Sequence, residues 1–472
     1  MRKSGIKILL SIISVIIIGS EVYADGYRIQ LKINGIRDTT VILAYYSGDK
    51  QYAKDTIRIN KKGIGIIEGE EKLHGGIYLV VFPNMNYFEM LISDEQNFSV
   101  ETDTSDLLNS MKFTGSPENE SFYQYQRYMK NQRDRSNELQ KRLKENKDNA
   151  DSAKIIKEQL KQLDKEVKET MKKIVKDNPN TFLGNFINAL IRPEIPEFEI
   201  DENVSNKDSL KWIYGFRYNK EHYLDNIDFS DERLLRTPIF HNKINDYFTK
   251  NLYQIPDSIM PEVEKVIEKA RANEEVFKYV LNYLLNHFLS SKIMGLDEVF
   301  VNIAEKYYLS GQATWVDSTS LSKISEKVMK LKPNLIGNIA PDLLMATSTG
   351  EYAYLHQVNA KYTILYFWEP NCGHCKEETP KLHKIYENFK DKGVEVFAVY
   401  TQYKKEEWLN YINEHGLNWI NTFDPYHSTN FRNLYDVYST PVMYVLNEKK
   451  EIIAKRISTE SLEKMLNKYL NE

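Results

Sequence analysis

The sequence has only two cysteines among its 472 residues, Cys372 and Cys375. So small a number excludes a scaffold held by several disulfides and a zinc site built from four cysteines. Basic residues do not outnumber acidic ones, 63 against 67, so the charge gives no reason to expect a nucleic-acid partner. No apolar run reaches the roughly 20 residues that a transmembrane helix needs. The two cysteines must therefore be explained together, by their own chemistry.

The sequence does contain enough apolar material for sizeable buried cores. Hydrophobic residues make up 42% of the chain and aromatic residues 12%, which excludes disordered and collagen-like classes. At roughly 150 residues per domain, the length predicts about three folding units. We therefore expect a multidomain protein.

The first 24 residues have the pattern of an export signal. Arg2, Lys3 and Lys7 precede an apolar stretch at residues 8–18, and Val22 and Ala24 are small residues at the positions that a signal peptidase reads. This pattern predicts cleavage after Ala24, with an uncleaved membrane anchor as the alternative. In either case we expect the protein in the periplasm or cell envelope, where oxidising conditions give a lone cysteine pair a redox meaning.

Three regions lie between the signal and the segment that holds the cysteine pair. Short alternating runs in residues 25–115 predict an all-β domain of about seven strands, a sandwich or barrel-like sheet. Charged helical sequence in residues 116–180 predicts either a hairpin packed within the chain or a coiled coil that forms a homodimer, because its second half repeats apolar residues at three- and four-residue steps. Residues 181–335 are predicted to be mainly α-helical. Their aromatic cluster, at residues 212–223, is interpreted as side chains buried between helices, with a ligand-binding surface as the alternative.

The cysteine pair lies where an apolar strand gives way to a helix, within alternating strand and helix patterns. At a helix N-terminus, free N–H groups and the helix dipole favour a negative sulfur, so the pKa of Cys372 should be lowered. Two intervening residues bring Cys375 within bonding distance, so the pair can form a disulfide. Cys372 would be the nucleophile and Cys375 the resolving thiol. One C-x-x-C motif supplies only half of a zinc site, so we expect neither a metal nor another cofactor.

The segment around Cys372 resembles the thioredoxin-like proteins of the bacterial envelope, the TlpA/ResA group. The resemblance covers about residues 336–472 and includes Pro380, five positions after Cys375, and the dipeptide Thr440-Pro441. It implies a C-terminal α/β thioredoxin fold, thiol-disulfide oxidoreductase activity and a cis-proline at Pro441 beside the disulfide. It also implies a set of residues that contact the substrate: Thr440, Pro441, Trp368, Gly373 and His374.

Glu378 is a further catalytic candidate. It lies one helical turn beyond Cys375, so its carboxylate could point back toward the sulfurs and exchange protons with them. Members of the envelope group have a glutamate at this offset, which implies the same role here. The alternative is an exposed acid that only interacts favourably with the helix dipole.

Two positions depart from the group. Asn371 precedes the first cysteine where the group usually has tryptophan, and Gly373-His374 is the dipeptide of protein disulfide isomerases. A protonated His374 would stabilise the thiolate and make the disulfide more oxidising. The direction of electron flow therefore stays open.

Together these patterns predict an exported thiol-disulfide oxidoreductase that reduces or isomerises disulfides of envelope proteins and is kept reduced by a membrane-embedded electron donor. The alternative is an envelope binding or scaffold protein whose thioredoxin-like domain is regulatory or vestigial. The predicted segments are a signal peptide at 1–24, an all-β domain at 25–115, a helical hairpin at 116–180, a helical domain at 181–335 and a thioredoxin-like domain at 336–472.

Overall fold

The computed structural model describes residues 26–197, 206–426 and 428–471. The predicted signal peptide lies outside these residues. The chain falls into two compact units, one that runs to Glu194 and includes Tyr223–Ile244, and another that runs from Asn245 onward and includes residues 206–222. Among the described residues, no helix combines the length and the apolar character needed to cross a membrane.

The first unit begins with two separate four-stranded sheets, as expected for a sandwich-like β domain rather than a closed barrel. Their orders are β4-β1-β7-β8 and β3-β2-β5-β6. The strands are β1 (Tyr27–Asn34), β2 (Thr39–Ser47), β3 (Lys50–Ile59), β4 (Ile64–Gly69), β5 (Gly76–Val81), β6 (Tyr87–Ile92), β7 (Asn97–Asp103) and β8 (Lys112–Thr114). Buried and exposed residues alternate strictly along β1, because one face of the strand packs on the core.

A short helix and a long helical hairpin complete most of the first unit: α1 (Leu107–Ser110), α2 (Pro117–Glu145) and α3 (Ala150–Asp177). The two long helices contact each other, since the Tyr128 hydroxyl donates to the Glu166 carbonyl at 3.2 Å. The apolar seam of α3 is buried at Ile156, Leu163 and Met171. The two helices thus pack against each other within the chain, while a homodimer through this region stays a prediction.

The following region is mainly helical, as predicted. Its helices are α4 (Phe182–Leu190), α5 (Lys207–His222), α6 (Pro238–Lys250), α7 (Pro256–Ala270), α8 (Glu274–Ser290), α9 (Asp297–Ile303) and α10 (Ser318–Leu331). A π-helical segment, Ala304–Leu309, continues α9.

The expectation that the aromatic cluster is buried is wrong for α5, in which no residue is buried. Trp212 is 60% exposed and stacks on Phe216, which contacts Tyr253 with ring centres 4.9 Å apart. The physical reason is the spacing, because aromatic residues at steps of two point to nearly opposite sides of a helix. The cluster comprises Trp212, Tyr214, Phe216, Tyr218 and Tyr223.

The C-terminal part forms a seven-stranded sheet in the order β10-β9-β13-β12-β11-β14-β15. The strands are β9 (Leu344–Thr347), β10 (Tyr352–Tyr354), β11 (Tyr362–Trp368), β12 (Val394–Tyr400), β13 (Ile420–Phe423), β14 (Val442–Asn447) and β15 (Ile452–Lys455). The helices are α11 (Gly373–Phe389), α12 (Lys405–His415), α13 (Phe431–Leu434) and α14 (Thr459–Asn471). Central strand β11 runs parallel to β12 and antiparallel to β14, which is the predicted α/β fold.

Candidate dithiol active site

Cys372 lies at the point where β11 ends and α11 begins, as predicted. It is the N-cap residue of the helix, and its sulfur accepts a hydrogen bond from the Cys375 N–H at 3.4 Å. The Cys372 side chain is partly exposed, whereas Cys375 is buried at 1% exposure, and both are free thiols in this structure. We call residues 369–375 the cysteine turn. In this turn the Cys372 sulfur is partly exposed to solvent and the Cys375 sulfur is buried.

The surroundings of the two thiols move their pKa values in opposite directions. Partial burial acts to raise the pKa of Cys372, but hydrogen bonds with Thr440 and with Cys375 outweigh it, and the pKa is lowered. Burial raises the pKa of Cys375 to about 12. The exposed sulfur is therefore the one that ionises, as a nucleophile must, and the buried sulfur stays protonated.

A second segment, which we call the proline loop (residues 436–441), faces the cysteine turn. The Thr440–Pro441 peptide bond is cis, as the resemblance implied. Register explains the position of the loop: Phe367 pairs with Val442, so Pro441 lies level with the end of β11. The Cys372 thiol donates to the Thr440 carbonyl, with Sγ and O 3.2 Å apart. The structure thus brings together residues that are 68 positions apart in the chain.

Glu369 belongs to the site and was not predicted from the sequence. Its carboxylate accepts a hydrogen bond from the Thr440 hydroxyl at 3.0 Å, and its carbonyl accepts one from the Cys372 N–H at 3.4 Å. Glu369 therefore joins the cysteine turn to the proline loop. The available signal was an acid three positions before the nucleophile, but its partner could not be identified from spacing.

Glu378 forms hydrogen bonds with Thr459 and Lys381. Its carboxylate accepts hydrogen bonds from the Thr459 hydroxyl and from Lys381, both at 2.7 Å. Partial burial acts to raise the pKa of Glu378, but these bonds outweigh it and lower the pKa. The carboxylate is thus ionised at neutral pH, and its role as a proton relay stays a prediction.

A cavity of about 300 Å³ adjoins the proline loop. Glu378 and Pro441 line it beside the apolar side chains of Met443 and Ile457, and Lys327 of α10 also contributes to its wall. Glu378 therefore contacts the lumen of a cavity that adjoins the proline loop.

Trp368 does not occupy the position that was expected of it. Its side chain has no exposed surface and lies in the core, 5.3 Å from the ring of Tyr411. The predicted contact with substrate is therefore wrong in this structure, because β11 is central in the sheet and is covered on both faces. Gly373 and His374 are exposed at the start of α11, and their contact with substrate stays a prediction.

No group of three or more potential metal ligands occurs among the residues that the structure describes. This fold and this site define a thioredoxin-fold domain with a dithiol at a helix N-terminus.

Comparison with known proteins shows which proteins the chain is similar to. A family model described as thioredoxin-like matches residues 359–452. The chain is 27% identical over 135 residues to the thiol-disulfide oxidoreductase ResA of Bacillus subtilis (strain 168), covering 29% of this chain and 74% of ResA. Two models described as domains of unknown function, DUF4369 and DUF5106, match residues 27–122 and 152–334.

Solved structures of similar sequence also match the C-terminal part. A domain of a possible thiol-disulfide isomerase from Cytophaga hutchinsonii is 47% identical, covering 29% of this chain and 92% of that domain, with a TM-score of 0.28. A thiol:disulfide interchange protein from Bacteroides sp. is 27% identical, covering 29% and 91%, also with a TM-score of 0.28. The C-terminal part of the chain is thus thioredoxin-like and similar to thiol-disulfide oxidoreductases named ResA.

Proposed function

We propose that this oxidoreductase is exported and reduces or isomerises disulfides in proteins of the cell envelope, through the dithiol of Cys372 and Cys375. The observation that carries the proposal is the asymmetry of the pair. Cys372 is partly exposed, caps a helix and lies 3.2 Å from the Thr440 carbonyl, while Cys375 is buried behind it. The signal-like pattern of residues 1–24 supports export.

The first step is attack by the Cys372 thiolate on one sulfur of a client disulfide. The bond between the client's sulfurs breaks, a mixed disulfide forms at Cys372, and the released client thiolate takes up a proton from water. Thr440 and Pro441 would hold the client's backbone beside the nucleophile. This step falls to Cys372 because its pKa is lowered and its sulfur is accessible.

The second step resolves the mixed disulfide. Cys375 loses its proton and attacks the Cys372 sulfur, which forms the Cys372–Cys375 disulfide and releases the second client thiol. Two electrons pass from the dithiol to the client. Because burial raises the pKa of Cys375 to about 12, this step needs a base, and we propose Glu378, which faces the adjoining cavity.

Turnover requires reduction of the new disulfide. We propose that a membrane-embedded thiol-disulfide donor supplies the two electrons through the same exchange chemistry, since the site needs no additional cofactor for it. An exported enzyme would meet such a donor at the membrane surface.

Trapping of clients tests this function. In the full chain, Cys375→Ser removes the resolving thiol and should leave mixed disulfides between Cys372 and envelope proteins, which appear on a non-reducing gel and vanish on reduction. The matched control is the double variant Cys372→Ser/Cys375→Ser, which should trap nothing. Absence of any adduct for Cys375→Ser, with Cys372 free and reactive, would contradict the proposal and favour a scaffold role.

A further inference from the structure

We propose that helix α10, which precedes the C-terminal sheet, positions the proline loop, so that disulfide exchange depends on the helical region as well as on the thioredoxin fold. The inference rests on the proposed function, because it assigns a positioning role in that reaction. The residues concerned are Lys327 and Lys330 on the helix, and Asp436 and Tyr438 in the loop.

The first contact is an ion pair at the start of the loop. Asp436 has a side chain that is only 1% exposed, and both of its carboxylate oxygens accept hydrogen bonds from Lys327, at 3.0 and 3.1 Å. Arg456 binds the same carboxylate at 2.5 Å. A buried carboxylate is costly unless it is paired, so these partners fix where Asp436 can lie.

The second contact holds an aromatic ring two residues before Thr440. The amino groups of Lys327 and Lys330 lie 5.6 and 5.1 Å from the ring centre of Tyr438, within the range of cation–π attraction. Lys330 also donates to the Tyr438 hydroxyl at 2.5 Å. The other side of the ring faces solvent, since Tyr438 is 67% exposed.

A third contact comes from the turn that follows the helix. Asn334 is buried at 1% exposure, and its side-chain amide donates to the Leu434 carbonyl at 3.0 Å. Residues from the helix and this turn therefore contact positions 434, 436 and 438, which shortly precede Thr440 in the chain. Thr440 in turn places its carbonyl 3.2 Å from the nucleophilic sulfur.

The strands β9–β15 pair with one another without any contribution from α10. The lysines are thus not needed to complete the sheet. Their contacts converge instead on the segment that sets the distance between Thr440 and Cys372. We infer that their main effect is on the reactivity of Cys372 and on client binding.

Substitution of Lys327 in the full-length chain tests the inference. Lys327→Met should lower the second-order rate of peptide-disulfide reduction by at least about fivefold, mainly through a higher KM, because the client's backbone docks on a displaced loop. The pH at which alkylation of Cys372 is half-maximal should shift measurably from the wild-type value, because displacement of the loop changes the contact between Cys372 and Thr440. Lys327→Arg keeps the charge and should restore both values to within about twofold.

The control is Lys323→Met, which removes an exposed lysine of the same helix and should change neither value. Lys330→Met provides a second variant should Lys327→Met fail to fold, and it should show the same changes at smaller size. Wild-type rates and an unchanged alkylation profile in a folded Lys327→Met or Lys330→Met protein would overturn the inference. If the wild type reduces no disulfide, the proposed function fails, and the alkylation profile still decides the role of α10.

Discussion

The cysteine turn and the proline loop meet at one site, but they are positioned by different means. The cysteine turn depends on local geometry: a strand ends, a helix begins, and Cys372 caps that helix. The position of the proline loop depends on residues distant in sequence. Glu369 and Lys327 contact it through their side chains, and the pairing of β11 with β14 fixes where it begins to enter the sheet. The position of the nucleophile is therefore set by a short motif. The surface beside it, which would bind a client, depends on residues from several parts of the C-terminal unit.

The largest expected effect comes from breaking the cysteine turn itself. Cys372→Ser should lower disulfide reduction by at least about 10³-fold, because the remaining thiol, Cys375, is buried and cannot carry out the first step. A stopped assay with a fluorescent peptide disulfide measures it. Cys375→Ser is the contrast, since it should still complete the first step once per molecule. Equal loss of that first step in both variants would contradict the assigned order.

Substitution of Asp436, the buried carboxylate at the start of the proline loop, should lower the stability of the protein. Asp436→Asn removes a buried charge that pairs with Lys327 and Arg456, and it should lower the free energy of unfolding by about 2 kcal/mol. The loss should not be larger, because both cations are partly exposed and can be solvated instead. Denaturant unfolding measures the change. The exposed Asp391→Asn provides the control and should stay within about 0.5 kcal/mol of the wild type. An unchanged Asp436→Asn protein would show that this carboxylate is not needed.

The link between the two segments should have a smaller effect on catalysis. Glu369→Ala leaves the Thr440 hydroxyl without its acceptor and should lower kcat/KM by about 3- to 10-fold, the value of one hydrogen bond. Steady-state reduction of a peptide disulfide measures it. Glu377→Ala, at an exposed acid next to the same cysteines, serves as the matched control. If both variants lose activity equally, the effect is one of general charge and not of the link.

The smallest expected effect concerns His374. Its side chain is exposed, while its backbone contributes to the low pKa of Cys372. His374→Ala keeps that backbone, so the reduction potential should become more negative by only about 10–30 mV, through loss of any imidazolium charge. Equilibration with glutathione measures the potential. A shift above about 60 mV would mean that the side chain, and not the helix start, controls the thiolate.

Features set by local sequence could be predicted, whereas features set by distant contacts could not. Strand-to-helix periodicity was sufficient to place Cys372 at the start of a helix, and the resemblance to the TlpA/ResA group was sufficient for the fold of the C-terminal part. The roles of the two sulfurs stay a prediction. The position of Trp368 could not be predicted, because burial in a central strand depends on neighbours on both faces of the sheet. Nor could the partner of Glu369, which lies 71 positions further along the chain.

Site-resolved alkylation decides whether Cys372 is the thiolate and Cys375 its protonated partner. The reduced full chain is pulsed with iodoacetamide from pH 5 to 10, and each cysteine peptide is quantified by mass spectrometry. The reactive form increases as pH rises through the pKa, so Cys372 should reach half its maximal rate below about pH 8.5, the value of a free thiol. Cys375, whose pKa is raised to about 12, should stay unreactive throughout. Equal titration of the two cysteines near pH 8.5, or earlier reaction of Cys375, would contradict this assignment.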